Sequence, residues 1–451
     1  MAKDGRPARS AKKSTSDAPL KSPAPANPPR IAVLVDLPHT PEAGGHVKWW
    51  ERLAGAAADA GEALPFDLTV YFSAGKPDET LGPRVRLRHL RPLFSTARLK
   101  FLPYTPDQTD LAPYHPGLAR ELTGYSLIHT TDAYFAFART AERVSRAYRI
   151  PLTTSFHTDT PAYAGLFTRR IIEELFERWP SLRRSLLVDW DAPGRQQARM
   201  QRRLDRHLRA VARAFVTRAT DRSLAERILG RGRVDRLWIG VDKAVFGPHQ
   251  RDREGLKRDY AIPEGRAVAV CVGRIDVGKN IPVLIEATGR AIGAGAALHL
   301  ILAGLGPSTV EAKRRLAGDV SLPGFLPPSE IARLYASVDF CALPSEVEVG
   351  SMAAIEAVAS GCPTLVSRLS RTAEQLGQTA AISEIASGES AWSEALKELA
   401  SSSSRRQAMG EAALEYRRRQ MATWSDVLNE NLVPGWRAAL SNPPGQAGQS
   451  L

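Results

Sequence analysis

The apolar positions of this chain fall into short unbroken runs, each followed by a longer stretch with helical spacing. Ile31 to Val35 is the first run, five apolar residues without a polar interruption, as a strand covered on both faces requires. A loop carrying Gly44 and Gly45 follows, and apolar positions then recur at helical intervals through "HVKWWERLAGAAADAG". Further strand-like runs are "LTVYFS", "SLIHTT", "LTTSFHT" and "RAFVTR". The pattern restarts at "AVAVCVGRID" (Ala267 to Asp276) and recurs at "LHLILAG", "DFCALPS" and "CPTLVS". This alternation predicts an α/β chain of two successive units with parallel sheets. The first unit is expected over 30–248, with "RLWIGVDKAVFGP" as its exit, and the second over 249–422. Residues 423–441, helix-like with two tryptophans, are expected to pack back onto the first. Residues 1–29, rich in Lys, Ala, Ser and Pro, and residues 442–451 have nothing to pack and are expected as disordered tails, the first of them basic.

Composition changes this picture little. The 451 residues suffice for two or three domains with real cores. No apolar run reaches the roughly 18–20 residues of a membrane-spanning helix, and the polar N-terminus has no signal-peptide pattern. Cys271, Cys341 and Cys362 are scattered, with no C-x-x-C pair, and read as buried free thiols in a reducing, cytoplasmic setting.

Charge changes it more. A net charge of +13 and a pI near 9.8 favour anionic partners such as phosphate-bearing ligands or an anionic membrane surface. No basic platform interleaved with aromatics is present, so no nucleic acid is expected. The charge is densest over 169–213, which holds 12 arginines against 6 acidic residues, together with Trp179 and Trp190. Ile171, Ile172, Leu175 and Phe176 there fit a basic amphipathic helix, either a solvated face over a core or an attachment to the inner face of a membrane.

Two loops carry candidate chemistry. In "VGRIDVGKN" a buried strand ends at Gly273, and Arg274 and Lys279 follow before the next helix. Ligands of open α/β sheets bind outside the carboxyl ends of strands, and an arginine fork plus a lysine charge suits a diphosphate. Asn280 is placed to cap the helix that follows. In "DFCALPSEVEVGSMAAIEAVASGCP" a strand, a loop and a helix from Met352 are closed by Gly361 and Pro363. Eight helical positions turn the chain to leave roughly 80° between side chains. Glu348 is therefore expected to project from the loop while Glu356 lies inside the helix. The amides of Gly350, Ser351 and Met352 are expected to face an anion, with the two carboxylates accepting from hydroxyl groups of a sugar and a ribose.

With "GGHVKWWERLA", "SFHTDTPAY", "GVDKAVFGP", "LAGLGP" and "GFLPPSEIARLYASVDF", these motifs run in order from Ile31 to Arg437. In them the chain resembles the retaining glycosyltransferases of the GT-B fold, in the large family-4 group that uses nucleotide sugars. The resemblance implies two Rossmann-like domains facing each other across a cleft, with a C-terminal helix crossing back to the first. It implies transfer of a sugar from a UDP- or GDP-sugar to an acceptor hydroxyl, that of a membrane lipid or a glycan, with no metal and no cofactor beyond the donor itself. Arg274 and Lys279 match the diphosphate-binding pair, and Glu348 the first glutamate of E-x7-E, facing the transferred sugar. Glu356 matches the second glutamate, holding ribose hydroxyls. Gly324, Phe325 and Leu326 match the element beside the nucleobase. Gly44 and Gly45 lie in the glycine loop that closes on the diphosphate, and His157 matches the histidine near the reacting sugar. The chain departs from the family at Val349-Gly350-Ser351, where Thr-Phe-Gly is usual, and at "SRLSRTAEQLGQ", where Gly-Gly-x-Pro-Glu is usual. A sugar-nucleotide epimerase or a non-catalytic binding relative are the alternatives.

Overall fold

The computed structural model describes residues 27–73, 76–96, 109–377 and 379–442. Apart from 27–29 and Asn442, the tails expected at 1–29 and 442–451 lie outside the described residues. The first sheet comprises β1 (Arg30–Val35), β2 (Asp67–Ser73), β3 (Glu79–Gly82), β4 (Val85–Leu90), β5 (Leu127–Thr130), β6 (Leu152–Ser155), β7 (Arg213–Val216) and β8 (Val234–Arg236). Its order is β3-β4-β2-β1-β5-β6-β7-β8, and β3 alone runs antiparallel, against β4. The second sheet comprises β9 (Ala267–Val272), β10 (Leu298–Ala303), β11 (Val320–Gly324), β12 (Phe340–Leu343), β13 (Thr364–Ser367) and β14 (Ile382–Ile385). It is parallel throughout, in the order β11-β10-β9-β12-β13-β14. Both are Rossmann-like.

The strand order reverses between β1 and β5 in one sheet and between β9 and β12 in the other. Loops leaving the carboxyl ends of such a pair diverge and open a crevice. In the second sheet those two loops are the ones that carry Arg274, Lys279 and Glu348. Strands β1 and β9 are buried along almost their whole length, which is why both read as continuous apolar runs. Strands β4 and β11 are only partly buried and lack such a run.

The segment 169–213 is not one amphipathic helix. Helices Thr160–Leu175 and Ala192–Ala210 pack antiparallel, joined through helical turns at Pro180–Arg184 and Ser185–Asp189. Gly165 makes the close approach possible, since a β-carbon there would lie 3.5 Å from the Pro193 carbonyl and 3.2 Å from the Gln197 side chain. Beside Trp190, Asp191 caps the second helix, accepting from the Gly194 amide at 3.1 Å.

The chain returns to the first half through Trp424–Asp426 and the helix Val433–Ser441. Trp436 is buried there and Trp424 meets Trp49 edge-on, ring centres 5.5 Å apart. All three cysteines are buried and unpaired. Burial pushes the Cys271 thiol up to about 12. Among the described residues, no helix is long and apolar enough to cross a membrane.

Candidate active site

The loop after β9 is fixed before it presents any charge. Gly273 takes φ +142°, and a β-carbon on Gly304, just after β10, would overlap the Gly273 carbonyl. Asp276 is buried and accepts from the Lys279 amide at 3.0 Å, shaping the turn Val277–Lys279. Its other oxygen lies 3.4 Å from Arg274 Nε. Asn280 does not cap the next helix as expected. It sits in the left-handed region at φ +57° and donates its side-chain amide to the Pro344 carbonyl at 3.2 Å, tying this loop to the one after β12.

The half-buried Lys279 ammonium forms an ion pair with Glu348. Burial works against the charged ammonium, but the Glu348 carboxylate outweighs it and holds the lysine above its usual range. Arg274, Lys279 and Glu348 thus converge, as the two loops of a switch point should. Two contacts from the first half hold the Glu348 loop: Arg218 donates to the Glu348 carbonyl at 3.1 Å and Tyr163 Oη to that of Val347 at 3.1 Å.

The helix Met352–Ala359 begins at Ser351, whose Oγ accepts from the Ala354 amide at 3.3 Å. The expected set of anion-facing amides is incomplete. Ser351 N–H donates to Gln375 Oε1 at 3.3 Å, and Gln375 Nε2 donates to the Val349 carbonyl. Gln375 lies in the segment that departs from the family pattern, and it staples the departing Val349-Gly350-Ser351 loop. Met352 and Ala353 open the helix, and their amides have no partner among the described residues, as for other first-turn N–H groups.

Glu356 is buried and does not join Lys279 and Glu348. It pairs with Arg52 at 2.5 Å, from the helix Gly45–Asp59 of the first half. Burial raises its pKa, and Arg52 offsets this only in part. The glycine loop lies close by: a β-carbon on Gly45 would stand 3.6 Å from Met352 Sδ, while Gly44 immediately precedes the helix as its extended first cap. Gly324, in the left-handed region at φ +78°, ends β11, and Phe325 and Leu326 follow it, two strands from β9 on the same sheet edge. Phe325 is exposed there, as is Leu305 beside Gly324.

His157 lies two residues beyond β6, at the end of a directional hydrogen-bond chain. An indole N–H only donates. Trp436 donates to His129 Nδ1 at 3.2 Å, so that nitrogen accepts and the neutral ring carries its proton on Nε2. His129 Nε2 then donates to Ser155 Oγ at 2.9 Å, and Ser155 donates to His157 Nε2 at 2.7 Å. Trp50 donates to the same His157 nitrogen at 3.2 Å. His157 therefore carries its proton on Nδ1, the nitrogen left for a ligand. Burial pushes His157 well below the usual imidazole range, helped by neighbouring His46 and His129. His46 stacks on it at 4.6 Å and is itself lowered to about 3 by burial.

Residues 252–416 match the family described as glycosyl transferases group 1. A GDP-mannose-dependent alpha-(1-6)-phosphatidylinositol dimannoside mannosyltransferase of Mycobacterium tuberculosis is 32% identical over 138 residues, 30% of this chain and 36% of that protein. The chain thus spans about a third of the length of that relative. A D-inositol 3-phosphate glycosyltransferase of Nocardia farcinica is 26% identical over 92% of this chain and 90% of its own. The fold matches sucrose-phosphate synthase from Thermosynechococcus elongatus, with a TM-score of 0.65 and 16% identity over 92% of this chain and 99% of that one. It also matches an Anabaena protein, Alr3699/HepE, solved with UDP-glucose, with a TM-score of 0.62 and 13% identity over 92% and 100%. The group 1 glycosyl transferase match thus lies in the second half of the chain, and the whole chain has the GT-B fold.

In this GT-B protein the cleft continues into a cavity of about 700 Å³ in the first half, walled by Asp36, His46, Asp132, His157 and Arg218, with Val347 from the second half. Asp36 ends the loop side of β1. Its carboxyl is pushed well up by burial and by Asp132, and its Oδ2 accepts from the Phe137 amide at 2.9 Å. The sequence reading missed Asp36, Arg52, Arg218 and Gln375. Asp36 was legible, as the polar residue that ends the first buried run. The other three act across the cleft or between loops, and one sequence carries no signal for that.

The depressed His157 gives a first expected outcome. A histidine with a lowered pKa stays neutral at every pH above it, so its ring keeps one tautomer from pH 8 to pH 6. Long-range ¹⁵N–¹H spectra of labelled protein should show Nδ1 protonated and unshifted across that window. A His157 signal titrating near 6.5 is incompatible with the buried chain.

Proposed function

We propose that this glycosyltransferase-family chain moves a sugar from a nucleotide diphosphate donor to an acceptor hydroxyl with retention at the anomeric carbon. The observation that supports this reading best is the convergence of Arg274, Lys279 and Glu348 at the switch point of the second sheet, opposite His157. The acceptor oxygen bonds to the anomeric carbon on the face the diphosphate leaves. The bond from that carbon to the phosphate oxygen breaks, its electron pair departs with the diphosphate, and the acceptor proton passes to a departing phosphate oxygen. Arg274, Lys279 and the first-turn amides of Met352 and Ala353 hold the growing negative charge in a site sheltered from water, so the reading needs no metal ion. Glu348 and His157 Nδ1–H bind hydroxyls of the transferred sugar. Gly324 to Leu326 flank the base, and Gly44 and Gly45 cover the diphosphate.

The acceptor binds in the cavity of the first half, whose mixed carboxylates and arginines suit a polyhydroxylated, phosphate-bearing molecule. The names of the two relatives, one a phosphatidylinositol dimannoside mannosyltransferase and one a D-inositol 3-phosphate glycosyltransferase, support an acceptor that carries inositol and phosphate, lipid-borne in the first. A thermal-shift series with UDP-, GDP- and ADP-sugars tests the donor. At a hundredfold excess over Kd a bound donor adds about 2.7 kcal/mol, so one base class should raise Tm by about 2 °C or more. No shift with any of the three sinks the reading. Donor turnover without an acceptor points instead to an epimerase.

A further inference from the structure

The hairpin made by Thr160–Leu175 and Ala192–Ala210 ends in a tip whose large apolar side chains face solvent. Trp179 is 60% exposed, Leu182 46%, Val188 64% and Trp190 54%. Of the other six tryptophans, Trp49, Trp50, Trp392, Trp424 and Trp436 lie in the core and Trp238 is half-buried. Other exposed apolar side chains are spread over the surface, whereas these four are gathered within twelve positions at one tip.

A second feature adjoins the tip. Arg195, Arg199, Arg202, Arg206 and Arg209 recur at spacings of four and three along one helix, and all five are exposed. That spacing places them in a single ridge, roughly 21 Å long at 1.5 Å per residue. None of the five pairs with a carboxylate among the described residues, whereas Arg203 of the same helix pairs with Glu142 at 2.7 Å. The Arg195 guanidinium lies 5.5 Å over the Trp190 ring, where ridge and tip meet. The tip itself is balanced, Arg178, Arg183 and Arg184 against Glu177, Asp189 and Asp191. The positive character belongs to the ridge.

We propose that this outer edge of the hairpin docks the protein on an anionic lipid bilayer, with the tip residues entering the acyl boundary and the arginine ridge lying along the phosphates. Tryptophan and aliphatic side chains beside arginines suit that interface. A nucleic acid engages the ridge but has no use for the apolar tip. The same helix also walls the cavity. Gln196, Met200 and Leu204 line the cavity, each one or two positions beyond a ridge arginine. Consecutive helical residues are about 100° apart, so Gln196 flanks the ridge while Met200 and Leu204 point roughly 140–180° away from it, and the helix stands between a bilayer on the ridge and the cavity. This deepens the lipid-acceptor reading above, yet docking is measured without donor or turnover, so the two fail separately.

Flotation of the full chain with phosphatidylglycerol–phosphatidylcholine vesicles tests it, alongside a 20-base-pair DNA duplex as competitor. Wild type should float with anionic vesicles and not with phosphatidylcholine alone. Trp179→Ser/Leu182→Ser/Val188→Ser/Trp190→Ser should lose about tenfold or more in binding with its melting temperature kept, since all four side chains are exposed. Arg195→Gln/Arg199→Gln/Arg202→Gln should lose about fivefold per arginine, most at low salt. The proposal is overturned if wild type does not float with anionic vesicles at low salt, or if the tip variant floats like wild type. It is equally overturned if the ridge variant loses DNA binding alone.

Discussion

Lys279→Ala should lower kcat/KM by about 10³-fold or more while leaving the melting temperature nearly unchanged. Removing one preorganised donor from a developing oxyanion commonly costs 10²–10³. Here the lysine also neutralises Glu348. In the variant that carboxylate stands without its cation beside the entering diphosphate, and like-charge repulsion adds to the loss. The lysine is half-buried at the mouth of a loop fixed by Asp276, Asn280 and Pro344, so its own truncation leaves the loop's backbone contacts in place.

The double variant Lys279→Ala/Glu348→Ala separates two roles for the pair. If Lys279 binds the diphosphate, deleting Glu348 as well restores nothing, because the glutamate contributes to the sugar separately. If Lys279 only balances Glu348, removing both members relieves the unpaired charge, as with buried ion pairs whose single deletions are the costly ones. Activity of the double variant within about tenfold of wild type would falsify the diphosphate role. Donor binding and turnover should be measured separately, since a loss confined to KM means ground-state binding alone.

The architecture was legible in the sequence where burial is total. Strands β1, β9, β10, β12 and β13 are covered on both faces and read as apolar runs. Strands β3, β8 and β14 are short or lie at sheet edges, and β4 and β11 are half-covered, so each mixes with polar neighbours and leaves no pattern. The convergence of the candidate site was legible on the same terms. Arg274, Lys279 and Glu348 sit on loops that the strand order forces together, so naming the strands placed the residues. The partner of Glu356 was not legible, because Arg52 lies in the other half, 304 positions away, and only the closed cleft joins them. The tautomer of His157 was hidden for a similar reason: it is set by Trp436, near the far end of the chain.

That cross-cleft pair leads to the second large effect. Glu356 gives one carboxylate oxygen, Oε1, to Arg52, and a carboxylate has further lone pairs on its other oxygen. A ribose hydroxyl can donate to Oε2 while Arg52 stays in place, which makes Arg52 a positioning residue that links closure of the halves to donor binding. Glu356→Gln should therefore weaken donor binding about 10–100-fold, the worth of a hydrogen bond to a charged acceptor, while Arg52 loses its counter-ion. Arg52→Ala leaves a buried carboxylate uncompensated and should cost about 3 kcal/mol or more of stability. The double variant should recover most of that stability and none of the donor affinity. The pH dependence has a definite sign. Burial already raises the Glu356 pKa, and Arg52 partly restrains it. Without Arg52 it rises further, so Arg52→Ala should lose donor affinity on acidification at a higher pH than wild type does. Calorimetric titration of the donor from pH 8 to pH 5 reads both effects. A Glu356→Gln variant that binds donor like wild type across that range removes the ribose role from Glu356 and leaves the pair as a clasp between the halves.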